Sequence, residues 1–138
     1  IVRKLKRPYV RYTRADEQNV RKADCLIIDC FGLLSSIYRY GEVAYIGGGF
    51  GVGIHNTLEA AVYGIPVIFG PKYQKFQEAV QLIEAQGAFS IQNGDELNRL
   101  LDRLFSDHAF LETTGRRAGD YVTGQAGATD KILEMINF

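Results

Sequence analysis

The chain has 138 residues, 46% apolar and 23% charged, with a formal net charge of zero. That suits one domain with a real hydrophobic core. Eight Tyr and eight Phe beside zero net charge exclude a disordered tail, and two cysteines, Cys25 and Cys30, exclude a disulfide scaffold. No apolar run approaches the roughly 18 residues of a membrane span, and no signal-peptide pattern opens the chain. The first residue is Ile1 rather than Met, so a piece of a longer protein is expected.

Residues 1–22 hold eight basic side chains against two acids, Asp16 and Glu17. Such a segment can attract phosphates, nucleic acid or an anionic membrane. The simpler reading is a solvated helix end and linker. Ile1–Arg7 reads as the tail of an element. Tyr9–Thr13 alternates aromatic, β-branched and basic residues after Pro8, which predicts a short strand. Arg14–Ala23 reads as a loop with a helical turn. Cys25–Asp29 is a compact apolar run ending in an acid, the pattern of a strand buried on both faces. Cys25 and Cys30 read as buried free thiols. Gly32 opens a helical stretch carrying Leu33, Leu34, Ile37 and Tyr38.

Val43–Ile46 is the next predicted buried strand. It runs into Gly47-Gly48-Gly49-Phe50-Gly51-Val52-Gly53, with five glycines in seven positions. Asn56–Tyr63 predicts a helix with Leu58, Ala61 and Val62 on one side, stopped by Gly64. Pro66–Phe69 is a third buried strand, closed by Gly70-Pro71. Phe76–Gln86 predicts an amphipathic helix that stops at Gly87, with Phe76, Ala79, Leu82 and Ile83 in the core. Ala88–Ile91 reads as a short strand. Asp95–Phe105, His108–Gly119 and Thr129–Ile136 read as helices, with Asp95 and Asp107 as N-caps. His108 reads as a surface or capping residue.

Strands alternating with helices predict an α/β, Rossmann-like parallel sheet with helices on both faces. Ligands of such sheets bind beyond the carboxyl ends of the strands. Asp29–Gly32, Gly47–Asn56 and Gly70–Lys75 are expected to share that edge. A glycine-rich turn from strand to helix brings backbone N–H groups close to an anion. The helix start adds unpaired N–H groups and part of a positive charge. His55, Asn56 and Thr57 would stand at that start, and Glu59 one turn in would accept hydrogen bonds from sugar hydroxyls. Asn56-Thr57-Leu58-Glu59 also reads as a capping box, in which Glu59 reaches back to the Asn56 backbone. The glycine density tips the balance toward a nucleotide-linked ligand. The glycine spacing does not match the dinucleotide fingerprint, and no P-loop lysine follows.

The ordered series Asp29-Cys-Phe-Gly32, Val43-Ala-Tyr-Ile-Gly-Gly48, Gly53-Ile-His-Asn-Thr-Leu-Glu59 and Gly64-Ile-Pro-Val-Ile-Phe-Gly-Pro71, followed by Phe76, resembles the C-terminal half of 3-deoxy-D-manno-octulosonic acid (Kdo) transferases. These are GT-B glycosyltransferases of lipopolysaccharide synthesis that move Kdo from CMP-Kdo to a lipid A precursor. The resemblance covers residues 9–90 well and the helical tail loosely. It implies that residues 1–138 form a nucleotide-sugar donor domain, one piece of a two-domain enzyme.

The implied donor-binding residues are Gly32, Gly48, Gly49, Gly51, Gly53, His55, Asn56, Thr57, Glu59 and Lys72. Gly48–Gly53 and His55–Thr57 would hold the phosphate and ribose, and Glu59 the ribose hydroxyls. Gly32 would approach the nucleotide through its backbone. Lys72 and Tyr73 would line the donor or acceptor side. Two segments depart from the family pattern. An acidic residue usually follows the glycine of Asp-x-x-Gly, where this chain has Leu33. His and Asn often follow Gly-Pro, where it has Lys72-Tyr-Gln-Lys-Phe76.

The family's general base lies in the N-terminal domain, so no catalytic residue is expected here, and the chain alone is expected to be inactive. No metal and no cofactor are expected, the donor CMP-Kdo being a substrate. The expected partners are that donor, the lipid A precursor and the N-terminal domain. The expected location of the whole enzyme is the cytoplasmic face of the bacterial inner membrane. Two other readings stay open. One is the donor domain of another GT-B enzyme using a UDP- or ADP-sugar. The other is a non-catalytic Rossmann-like module. Nucleic acid is not an expected partner, because residues 1–22 lack the interleaved aromatic platform of single-strand binders.

Overall fold

The computed structural model describes residues 2–136. They form two compact units that divide between Ile37 and Tyr38.

The first unit opens with a 3₁₀ turn at Val2–Lys4. Strand β1 (Tyr9–Arg11) pairs in parallel with β2 (Cys25–Ile27), Tyr9 opposite Cys25 and Arg11 opposite Ile27. A 3₁₀ turn at Tyr12–Arg14 leads to helix α1 (Glu17–Val20). The Asp16 carboxylate accepts hydrogen bonds from the Gln18 and Asn19 N–H groups at 2.9 and 2.8 Å. Asn19 Oδ1 accepts in return from the Asp16 N–H at 2.8 Å. This reciprocal cap satisfies donors that a one-turn helix otherwise leaves open, and so lets a polar segment hold helical form.

Helix α2 (Leu34–Ile37) closes the unit. The expectation of a strand buried on both faces at Cys25–Asp29 is corrected here. Leu26 is 46% exposed, because a sheet of two strands covers little of either face. Cys25 and Cys30 are free thiols, half-buried rather than buried.

The second unit begins with a 3₁₀ turn at Tyr38–Tyr40. It continues as β3 (Ala44–Ile46), α3 (Leu58–Ala61), β4 (Val67–Phe69), α4 (Gln77–Glu84) and β5 (Ala88–Ser90), and ends in α5 (Gly94–Ser106) and α6 (His108–Ile136). The three strands form a parallel sheet in the order β3-β4-β5. Side chains alternate across a sheet, and β4 shows it. Val67 and Phe69 join a cluster with Ala60, Ala61, Ala79, Leu82 and Ala118, from α3, α4 and α6. Ile68 joins a separate cluster with Ile91 and Leu104, flanked by Leu97, Leu100, Leu101, Phe110 and Leu111. Val67, Ile68 and Phe69 are wholly buried, each burial contributing about 1.5–3 kcal/mol. Helices therefore cover both faces, as the α/β pattern predicts.

Several boundaries differ from the sequence reading. Helix α3 is a single turn, and its buried residues are Ala60 and Ala61, while Val62 is 55% exposed. The left-handed residue after α4 is Gln86 (φ 61°) rather than Gly87. Gly87 answers a different demand: a Cβ there would lie 2.6 Å from the Ala118 backbone of α6. Asn93, not Asp95, caps α5 by accepting from the Glu96 N–H at 2.9 Å.

The two predicted C-terminal helices are one continuous helix, α6. Its start is capped by Asp107, which accepts from the Phe110 N–H at 3.0 Å. His108 is exposed and pairs with Glu112 at 3.1 Å. Gly115 does not break α6, because it is needed for contact. A side chain there would strike the carbonyl of Gly64, which itself sits at φ 69°. No described helix is long and apolar enough to cross a membrane.

Candidate functional site

The candidate site forms where β3 and β4 end side by side in the second unit. Ile46 is opposite Phe69 in the sheet, so the glycine turn after β3 meets Gly70-Pro71 after β4. The Gly49 carbonyl accepts from the Lys72 N–H at 2.9 Å and fastens the two turns together. A Cβ on Gly49 would lie 2.6 Å from the Gly70 nitrogen, and one on Gly70 would lie 2.7 Å from the Gly49 carbonyl carbon. The two backbones touch with no space for side chains.

The turn is also folded on itself. Gly48 has φ 92°, and a side chain there would strike the Gly53 carbonyl. The Gly48 carbonyl accepts from the N–H groups of Gly51 and Gly53 at 2.9 and 3.2 Å, and the Gly47 carbonyl accepts from the His55 N–H at 3.1 Å. Gly48, Gly49 and Gly53 are thus required by the turn's own packing, and Gly53 and His55 spend their N–H groups inside it. The glycine density, taken from sequence as the sign of a phosphate cradle, has this structural cause. Gly51 differs: a Cβ there meets only the Gly48 oxygen, at an ordinary 3.6 Å.

Asn56 and Glu59 behave partly as the capping pattern predicts. Asn56 Oδ1 accepts from the Leu58 N–H at 2.9 Å. Glu59 Oε1 accepts from the Asn56 side-chain amide at 3.3 Å, so it reaches the side chain and not the backbone. Thr57 is 4% exposed and makes no capping bond. One helical turn sums few peptide dipoles, so the positive end of α3 is weaker than a longer helix would provide. Glu59 also lies near Tyr38. Burial raises the Tyr38 phenol above its ordinary range, and the Glu59 charge adds to that.

Two hollows open beside these turns. The first, of about 350 Å³, is lined by Ile54, His55, Asn56, Thr57, Leu58, Phe76 and Glu78. The second, of about 460 Å³, is lined by Gly51, Val52, Lys72, Gln74, Lys75 and Phe76. Phe76 belongs to both, and a Cβ on Gly53 would meet its ring at 2.8 Å. Phe76 was expected in the core of α4, yet it is 37% exposed and precedes the helix.

The structure thus brings His55, Asn56 and Thr57 to one hollow and Gly51 and Lys72 to the other. It leaves Glu59 outside the lining of both. Phe76, Glu78, Gln74 and Lys75 are lining residues that the sequence reading did not assign. Their signal was position, immediately after Gly70-Pro71 on the strand-end edge.

Asp29 and Gly32 belong to the first unit, and β2 is not hydrogen-bonded into the β3-β4-β5 sheet. The expectation of one sheet edge for three strand ends therefore holds for β3 and β4 only. Asp29 is engaged locally: it accepts from the Thr13 N–H at 3.0 Å and the Thr13 hydroxyl at 2.8 Å. Those bonds hold its carboxyl below the ordinary range. Gly32 has φ 87°, and a Cβ there would meet nothing within 4 Å.

No protein-family model matches the chain. Individual proteins do match. The chain is 39% identical over 87 residues to the 3-deoxy-D-manno-octulosonic acid transferase of Aquifex aeolicus, a match covering 62% of this chain. It is 32% identical over 116 residues to that of Rickettsia felis and 34% identical over 116 residues to that of Rickettsia bellii, each match covering 82% of this chain. The chain is homologous to the Kdo transferases.

It spans about a quarter of the length of the curated Kdo transferases it matches. The fold agrees with a crystal structure described as the C-terminal CMP-Kdo binding domain of WaaA from Acinetobacter baumannii. The TM-score is 0.71 at 20% identity, over 87% of this chain and 63% of that one. The Rossmann-like α/β architecture is therefore the fold of that C-terminal Kdo transferase domain.

Proposed function

We propose that this chain is the donor-binding domain of a Kdo transferase, holding CMP-Kdo at the joined ends of β3 and β4. The observation that carries the reading is the stitched edge where the Gly47–Gly53 and Gly70–Lys72 turns meet, in a chain homologous to Kdo transferases. That edge is where parallel α/β sheets take their ligands. His55 and Asn56 supply exposed polar groups for the phosphate and ribose beside the Gly48–Gly53 turn, with Thr57 at the base of the hollow. Glu59 accepts from ribose hydroxyls after giving up its bond to Asn56. Lys72 lines the donor side.

Transfer also needs a base for the acceptor hydroxyl, and the second domain supplies it. The chain alone therefore binds donor without turning it over. The whole enzyme adds Kdo to lipid A precursor at the cytoplasmic face of the inner membrane.

Competition among CMP, UDP and ADP tests the nucleotide assignment. CMP is expected to bind tightest. Tighter binding of UDP or ADP would move the chain to another GT-B donor class, and no binding of any of them would leave a non-catalytic module.

A further inference from the structure

The donor-domain reading leaves the second hollow without an assigned chemical group, and the present inference rests on that reading. Lys72, Gln74 and Lys75 are the polar side chains of its lining, and no carboxylate lines it among the described residues. The segment that carries them is braced. The Lys72 N–H bonds the Gly49 carbonyl at 2.9 Å, and the Phe76 N–H bonds the Tyr73 carbonyl at 2.8 Å, closing a turn around Gln74 and Lys75. A Cβ on Gly53 would lie 2.8 Å from the Phe76 ring, which lines both this hollow and the one lined by His55–Thr57.

Two ammonium groups and an amide donor on one wall recognise an anion. An ulosonic acid joined to a nucleotide carries two anions, its phosphate and its carboxylate, on the same anomeric carbon. A site for such a donor needs two adjoining anion subsites, and Lys72 and Lys75 supply the cations for one of them. We infer that Lys72 and Lys75 hold the carboxylate of the sugar acid. Lys75 then distinguishes sugar-acid donors from donors of neutral sugars.

The test is NMR titration of the chain at low salt with CMP and with CMP-Kdo, repeated on K75Q and on K72Q/K75Q. The variants' amide spectra report whether they stay folded. The exposed ion pairs predict a loss of about five-fold in CMP-Kdo affinity for the double variant, with CMP changed by less than about two-fold. Equal losses for both ligands would show that the lysines hold phosphate and would overturn the inference, while leaving the donor-domain reading in place. Unchanged affinity for both would overturn it in the same way. Failure of the unsubstituted chain to bind CMP at all would overturn the donor-domain reading and the inference together.

Discussion

Gly49 and Gly51 look alike in the sequence, but the structure gives them opposite roles. In Gly49→Ala the new methyl would lie 2.6, 2.7 and 2.9 Å from the nitrogen, Cα and carbonyl carbon of Gly70. Carbon contacts relax near 3.5 Å, so the two turns must part by about 0.6–0.9 Å. All three atoms are backbone, so no side chain can rotate away. Overpacking of this kind costs about 1–3 kcal/mol. Stretching the Lys72–Gly49 hydrogen bond of 2.9 Å adds about 1 kcal/mol. A loss of about 2–4 kcal/mol lowers the melting temperature of a chain this size by about 5–15 °C. Gly51→Ala makes only a 3.6 Å contact, so it should cost no more than about 0.5 kcal/mol. Urea unfolding followed by far-UV circular dichroism measures both. Equal midpoints for the two variants would refute the packing explanation of the glycine turn.

Other outcomes follow from single contacts. Phe69→Ala, at the wholly buried end of β4, should lose about 3–5 kcal/mol in the same assay. Thr13→Val removes the hydroxyl bond to Asp29, so the Asp29 carboxyl should titrate higher by NMR, toward its ordinary value. Because those bonds depress the folded-state value, their stabilisation is present above the ordinary carboxyl range and lost as pH falls through the folded one. An unchanged Asp29 titration in Thr13→Val would contradict this.

At alkaline pH the sign is reversed. Burial raises Tyr38 and Tyr121, and Glu59 and Glu78 respectively add to it. Their contribution is full below the ordinary phenol value of 10.0 and is lost as pH climbs through the folded values. Tyr121→Phe also deletes a 2.6 Å hydrogen bond to Gln81 and should cost about 1 kcal/mol. Glu59→Gln should weaken CMP binding several-fold without shifting the melting temperature, and unaltered affinity would remove Glu59 from the ribose role.

Strands were legible where apolar residues run together. Val67-Ile-Phe69 needs both faces buried, and both are. Which strands pair was not legible, because apolar runs carry no record of their neighbours. Cys25–Ile27 thus proved to be half of a separate two-stranded sheet. Gly119 read as a helix end because glycine weakens helices, whereas Gly115 and Gly119 let α6 approach Gly64. Gln86 takes the left-handed position expected at Gly87, and Gly87 is instead required by its contact with Ala118.

The placement of His55, Asn56 and Lys72 beyond the strand ends was legible from motif order, and the structure puts them on two hollows there. The packing demand on the glycines was not legible, since a turn packed on a second turn and a turn built for an anion call for the same residue. Lys75 and Phe76 were not assigned to the site, although Gly70–Lys75 was expected on that edge, because no periodicity announces the turn around Tyr73–Phe76 that brings them to the hollow.

The central claim is that a cytidine nucleotide binds where β3 and β4 end. Amide shifts of the ¹⁵N-labelled chain during a CMP titration test it most directly. The account predicts saturable shifts concentrated in Gly47–Glu59 and Gly70–Phe76. Shifts spread elsewhere, or none at millimolar CMP, would contradict it.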